Sequence, residues 1–346
     1  MVERTLSERE LNRALLARQL LLGRAELTIP RAVERVGGLQ AQYAPSAYVG
    51  LWSRVTGLER EALTRELERR RVVQATLMRV TIHIVSRGDF WPMAEALRME
   101  RRSWWLGATR HASEAPAMAA TARRVRSLLA DGPLRRSEIM KRLDLDAATW
   151  NGVGLWVDLV RLPPSGTWEQ RRADLFGLAE DWIGPSDTTP DRGARHLVRR
   201  YLAGFGPASR KDVAGFTGLS QGTLKPVLEA MKVRRFRDER GEELLDLPRA
   251  PLPDVDTHAP VRFLPTWDAT LLVHARRTQI LPERFRPLVF NTRTPHSVAT
   301  FLIDGQVAGT WRYERGRVVC TSFERLESRA RRELDDEAAR LAAFHT

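Results

Sequence analysis

"FGPASRKDVAGFTGLSQGTLKPVLEAMKVRRFRDERGEELLDL" occupies residues 205–247. Gly-Pro opens a turn, and the serine behind it stands where an N-cap oxygen meets the free amides of a new helix. Val213, Phe216 and Leu219 recur at helical spacing, which gives one apolar stripe to a core. A turn follows, then a second expected helix from Ser220 to Met231. The stretch "VRRFRDERGEELLDL" ends it as a basic hairpin. Helix, turn, helix and β wing is the layout of a winged helix.

The same plan stands earlier. "DGPLRRSEIMKRLDLDAATWNGVGLWVDLVRL" covers 131–162, with Ile139, Leu143 and Leu145 as its stripe. Its second helix is expected from Ala147 to Val160, and "RLPPSGTWEQRRADLFGL" is its wing. The N-terminal third repeats the scheme: a long amphipathic helix from Leu6 to Leu22, and a short one in "TIPRAVERVGGL" with Pro30 in its first turn. A third helix is read in "EREALTRELERRR". "VVQATLMRVTIHIVS" then alternates as a hairpin should, with Arg79, Thr81 and His83 expected on one face, opposite Val80, Ile82 and Ile84.

After the Pro-rich "PLPDVDTHAPVRFLP", the runs "TLLVHA", "SVATFLIDG" and "VAGTWRYERGRVVC" read as strands, with a hairpin turn at Asp304-Gly305. "SRARRELDDEAARLAAFH" is a closing helix. The expected fold is mainly α with β wings (α+β). Three tandem winged helix-turn-helix units cover 1–112, 113–190 and 191–250, and a small C-terminal β-rich domain covers 251–346.

Composition narrows the partners. At 346 residues and 43% apolar the chain has material for several cores. No apolar run approaches the roughly 18 residues of a membrane span, and the charged "MVERTLSERE" start lacks an apolar leader. Cys320 is the sole cysteine, so no internal disulfide forms, and a reducing cytoplasm is expected. Fifty-six basic residues against 43 acidic ones give +13, yet only four are lysines. Such a balance points to a polyanion, nucleic acid first; GC-rich coding is the alternative source of so much arginine.

Several chemistries drop out. No CxxC, HExxH or phosphate-loop GxxxxGK[ST] is present, and the histidines are scattered. The first unit holds no lysine, which argues against a Schiff-base lyase.

"GLQAQYAPSAYVGLWSRV", "LMRVTIHIVSRGDF", "FGPASRKDVAGFTGL", "FLPTWDATLL" and "LIDGQVAGTW" together resemble the AlkZ/YcaQ-type winged-helix DNA glycosylases, in order and over nearly the whole chain. The resemblance implies a monofunctional hydrolase of N-glycosidic bonds that acts on N7-alkylguanine, including interstrand crosslinks. It also implies a catalytic Gln-x-Gln, matched here by Gln40-Ala41-Gln42. Where the YcaQ branch carries a carboxylate, this chain has Gln42, as in the AlkZ branch.

Glutamine is neither acid nor base near neutral pH. A cationic alkylated guanine leaves as a neutral base, so two amides need only stabilise charge and place a water. The expected partner is double-stranded DNA carrying alkylated guanine, bound by a monomer with no cofactor, no metal and no membrane. Arg79, Thr81, His83, Arg54, Arg101 and Arg102 are the candidate DNA contacts. His83 is either a donor to DNA or a satisfied histidine of the sheet. Trp52, Trp104 and Trp105 are expected in the core more than on DNA. Asp268, in "LPTWD", carries no assigned task. The rival readings are a winged-helix transcription regulator and a non-catalytic DNA-binding protein.

Overall fold

The computed structural model describes residues 2–108, 115–290 and 297–346. His111, His296 and the expected boundary between the first two units at 112/113 lie outside the described residues.

The third unit forms as its sequence predicts. Ser209 and Asp212 make a reciprocal capping box at the start of the helix Arg210–Thr217. Gly218 closes that helix at φ +80, and Ser220 caps the helix Gln221–Ala230. Strands Arg234–Asp238 and Glu243–Asp246 make the wing. In the second unit the helices are Arg136–Leu143 and Ala147–Val153, and the wing is Leu159–Arg161 with Leu175–Leu178. The expected helix to Val160 therefore ends at Val153. Two glycines, Gly152 and Gly154, weaken it there, and Val160 is fully buried as a strand residue. Here the cap is the Glu138 carboxylate, which accepts from Arg135 N–H at 3.0 Å, and Ser137 lies inside the helix.

The expected helix from Leu6 to Leu22 is also shorter. Ser7 and Glu10 form a capping box that starts it at Glu8, and it ends at Arg18, with Leu20 in the left-handed region. Thr5–Leu6 instead pairs in parallel with Arg237–Asp238 of the third wing, so the first and third units are stitched together at the outset. Arg18 completes the join through a buried two-pronged pair to Asp246 at 2.7 and 2.8 Å. Helices Ile29–Arg35, Ala44–Trp52 and Arg60–Glu68 precede the hairpin Val72–Thr76 and Ile82–Ser86.

The first two wings are not separate. Gln74 and Ala75 of the first pair with Arg161 and Val160 of the second, making one six-stranded sheet. Across it runs the long helix Arg87–Ala108, which packs on Pro190–Phe205. Their backbones approach so closely that a Cβ on Gly193 would lie 2.3 Å from Pro92 O.

The C-terminal domain is a four-stranded antiparallel sheet, Arg262–Leu264, Thr300–Ile303, Gln306–Glu314 and Arg317–Ser322. Asp304 and Gly305, at φ 45 and 79, make its expected tight turn. "TLLVHA" is not a strand: Ala269–Leu271 is one 3-10 turn, because the Asp268 carboxylate caps Thr270 N–H. The closing helix Ser328–His345 returns to the first unit, and Phe344 packs on Trp52 and on Trp168 from the second wing.

Candidate active site

The glutamine motif is set by a sharp reversal after the helix Ile29–Arg35. Gly37 and Gly38 take φ +78 and +92, and a Cβ on Gly38 would stand 3.2 Å from Val85 Cγ1. Only glycine adopts this turn without strain. Behind it, the Gln19 amide donates to Val36 O at 3.1 Å and Gly204 O at 2.8 Å. The chain then runs as the two-residue strand Leu39–Gln40 opposite Ile84 and His83, and Ala41 N–H bonds Ile82 O at 2.8 Å.

Gln40 is only 6% exposed, and Arg79 Nη2 donates to its Oε1 at 2.6 Å. Arginine has donors alone, so the carbonyl must face it and the Gln40 Nε2 is the end left for a ligand. Arg79 reaches this position from the hairpin turn, where it and Val80 hold φ 52 and 57. A β-branched residue there stores strain, about 1–2 kcal/mol per residue. The Arg79 guanidinium lies 4.6 Å over the Phe216 ring of the third unit. Burial pushes its pKa down to about 10, so it stays charged at neutral pH.

Gln42 is exposed, and its Oε1 accepts from Ile82 N–H at 3.2 Å. One carbonyl lone pair and the Nε2 hydrogens remain for a ligand. The two amides open onto different recesses. Gln42 stands at a cleft of about 500 Å³ between the first and second wings, whereas Gln40 borders a narrow crevice with Trp267 and Asp268.

The remaining candidates separate. The left-handed turn at Arg79–Val80 shifts the alternation, so Arg79, Thr81 and His83 do not share an exposed face. His83 is buried at 1% exposure, its Nδ1 3.0 Å from Thr81 O and its ring edge-on to Phe216. Burial first, and then Arg79, push its pKa down to about 3, so it is neutral and cannot reach a phosphate. Thr81 is half-buried and its hydroxyl donates to Met78 O.

Arg54 is corrected as a DNA contact. It is buried, and it bonds Asp268 at 2.9 Å and Gly50 O at 2.9 Å. That pair gives Asp268 its task, because it ties the C-terminal domain beneath the Gln40 crevice.

Arg101 is 7% exposed, donates to Thr76 O and turns its remaining surface to the cleft. Arg102 donates to Leu155 O and Trp156 O, which joins the long helix to the second unit. Trp52 is core, as expected, whereas Trp104 is 54% exposed. Arg161 and Gln19 carried no motif; pairing between units, invisible in local sequence, brings them to the site.

A model of the AlkZ-like DNA glycosylase family matches residues 33–344. The chain belongs to the AlkZ-like DNA glycosylase family. Among solved structures, the Streptomyces sahachiroi DNA glycosylase AlkZ is similar in fold. Its TM-score is 0.80 at 21% identity, over 98% of this chain and 97% of that one. No curated protein matches the chain. This AlkZ-like enzyme is therefore a DNA glycosylase, a hydrolase of N-glycosidic bonds whose substrate is DNA. The regulator and non-catalytic readings give way to it.

Proposed function

We propose that this AlkZ-like enzyme releases N7-alkylguanines from duplex DNA, bulky and crosslinked ones included, and that it acts as a cytoplasmic monomer. The observation that carries the reading is that no free acid stands at the site among the described residues. The two motif side chains are amides, and the acids lining the adjoining cleft are engaged. Asp158 pairs with Arg98 at 2.8 Å, and Asp174 pairs with Arg135 at 2.7 Å and Arg172 at 3.1 Å. A neutral base leaves as an anion and needs a proton from an acid of suitable pKa. An N7-alkylguanine is already a cation; when its C1′–N9 bond breaks, the electron pair neutralises the base and the sugar becomes an oxocarbenium ion.

The two glutamines then take unlike parts. The Gln40 carbonyl faces Arg79, so its Nε2 donates, to the attacking water or to a phosphate beside the lesion. The free lone pair of Gln42 Oε1 accepts a hydrogen bond from the water, whose oxygen adds to C1′ and whose proton passes to solvent, leaving an abasic site. Positioning of this kind supplies roughly 10²–10³ in rate per well-placed group in a dry site. A crosslinked guanine cannot swing freely out of the helix, so its sugar must be approached from a groove.

The test is a set of duplexes of one sequence, each with an N7-alkylguanine, uracil or hypoxanthine, followed by abasic-site cleavage. Excision confined to the alkylguanines is expected. Efficient release of uracil or hypoxanthine would reveal a protonating site and overturn the reading.

A further inference from the structure

On the face of the six-stranded sheet below the cleft, Arg161 stands in register between Gln74 on one neighbouring strand and Phe176 on the other. Its guanidinium lies 5.0 Å over the Phe176 ring, and its buried Nε has no hydrogen-bond partner. Gln74, its cross-strand neighbour, is itself buried with both amide atoms unpartnered. On the opposite wall, Arg101 is similarly placed: its Nη1 meets Thr76 O, while its buried Nε has no partner.

Asp158 partly offsets Arg101, but it and Asp174 make their ion pairs with Arg98, Arg135 and Arg172, and no acid offsets Arg161. Burial pushes both Arg161 and Arg101 down to about 10, with Arg136 adding to the effect on Arg161; both remain cations at neutral pH. Uncompensated guanidinium groups in a recess are costly in the free protein, and an anion entering the recess removes that cost.

We infer that the cleft beside Gln42 is a seat for a phosphodiester of the DNA backbone, gripped by Arg161 and Arg101, and not a pocket for the damaged base. A cationic N7-alkylguanine placed there would meet two positive charges and no free acid; this exclusion of the lesion rests on the proposed reaction, whereas the anion site does not. The planar fork of arginine matches two phosphate oxygens at once. A phosphate held there fixes the strand against Gln42 and leaves the lesion sugar on the groove side.

Arg161→Met tests this on unmodified duplex, where no lesion is involved. In a plot of log affinity against log salt, the slope of the variant is expected to be shallower than that of wild type by about 0.9 in absolute value, the share of one phosphate. Its melting temperature without DNA should equal or exceed that of wild type, because an unpaired charge has gone. Inorganic phosphate, compared with chloride at equal ionic strength, should raise the wild-type melting temperature and raise that of Arg161→Met less. Arg101→Met repeats the measurement from the helix side, should the first variant not fold.

A variant that melts lower and keeps the wild-type slope would make Arg161 a structural residue and overturn the inference. So would faster release of N7-alkylguanine with an unchanged slope, since the cleft would then hold the base. Loss of slope in an enzyme that releases no N7-alkylguanine leaves the phosphate seat standing and removes the proposed substrate.

Discussion

Arg79 Nη2 donates to Gln40 Oε1 at 2.6 Å, across a turn in which Arg79 itself takes a left-handed backbone. The contact fixes which end of the Gln40 amide faces a ligand, and it makes Arg79 a positioning residue. Arg79→Met is expected to lower single-turnover base release roughly 10- to 100-fold, with a smaller loss of DNA affinity. Arg79→Lys, which keeps a donor, should recover part of the rate. Equal rates for all three proteins would show that the contact plays no part in catalysis.

Gln40→Glu is the complementary change. It keeps an acceptor for Arg79 and removes the Nε2 donor, so release should fall about 10²- to 10³-fold while the fold is retained. Gln42→Ala should cut the rate comparably without altering the melting temperature, because Gln42 is exposed. Wild-type single-turnover rates in either variant would refute its assigned role.

Arg54 and Asp268 form a buried pair with side chains 1% and 4% exposed. Asp268→Asn keeps the shape and strips the charge, leaving Arg54 uncompensated, and should destabilise by roughly 3–5 kcal/mol. Arg54→Met combined with Asp268→Leu should lose less than either single change. Urea denaturation of Asp268→Asn, of each single change and of the double variant checks this; additive losses would mean that the two residues are not coupled.

Gly38→Ala places a side chain at φ +92, with its Cβ 3.2 Å from Val85. The loop must shift, and it carries Gln40. Base release should therefore fall by a larger factor than one or two kcal/mol of lost stability would suggest. Retention of the wild-type rate would show that the reversal tolerates a Cβ.

Three buried or half-buried histidines stay neutral in the fold. Burial lowers His83 to about 3, His345 to about 4, and His274 below its ordinary 6.5. The unfolded chain binds these protons near pH 6.5, so it holds more protons than the folded chain below that value. Their contribution is complete above about pH 6.5 and is lost as pH falls, down to about 4 for His345 and about 3 for His83. Each group contributes about 1.4 kcal/mol per pH unit within its window. His83→Phe should reduce the slope of unfolding free energy between pH 6 and 5 by about that amount; an unchanged slope would mean that His83 is protonated in the folded enzyme.

What the sequence determined by itself was local. The Ser209 cap, the Gly218 helix end, the Asp304-Gly305 turn and the wing hairpins are each specified within a few residues, because caps, turns and apolar periodicity act over one or two turns of chain. The motif Gln40-Ala41-Gln42 was legible for the same reason. What only the tertiary structure decided lies far apart in the chain. Arg54 meets Asp268 across 214 positions, and the wings of two units share one sheet. His83 turns inward because two left-handed residues shift the strand phase, and a period of two cannot say which face will be covered. Which arginines were left for DNA was therefore settled by burial and by competing acids, and these depend on packing between units.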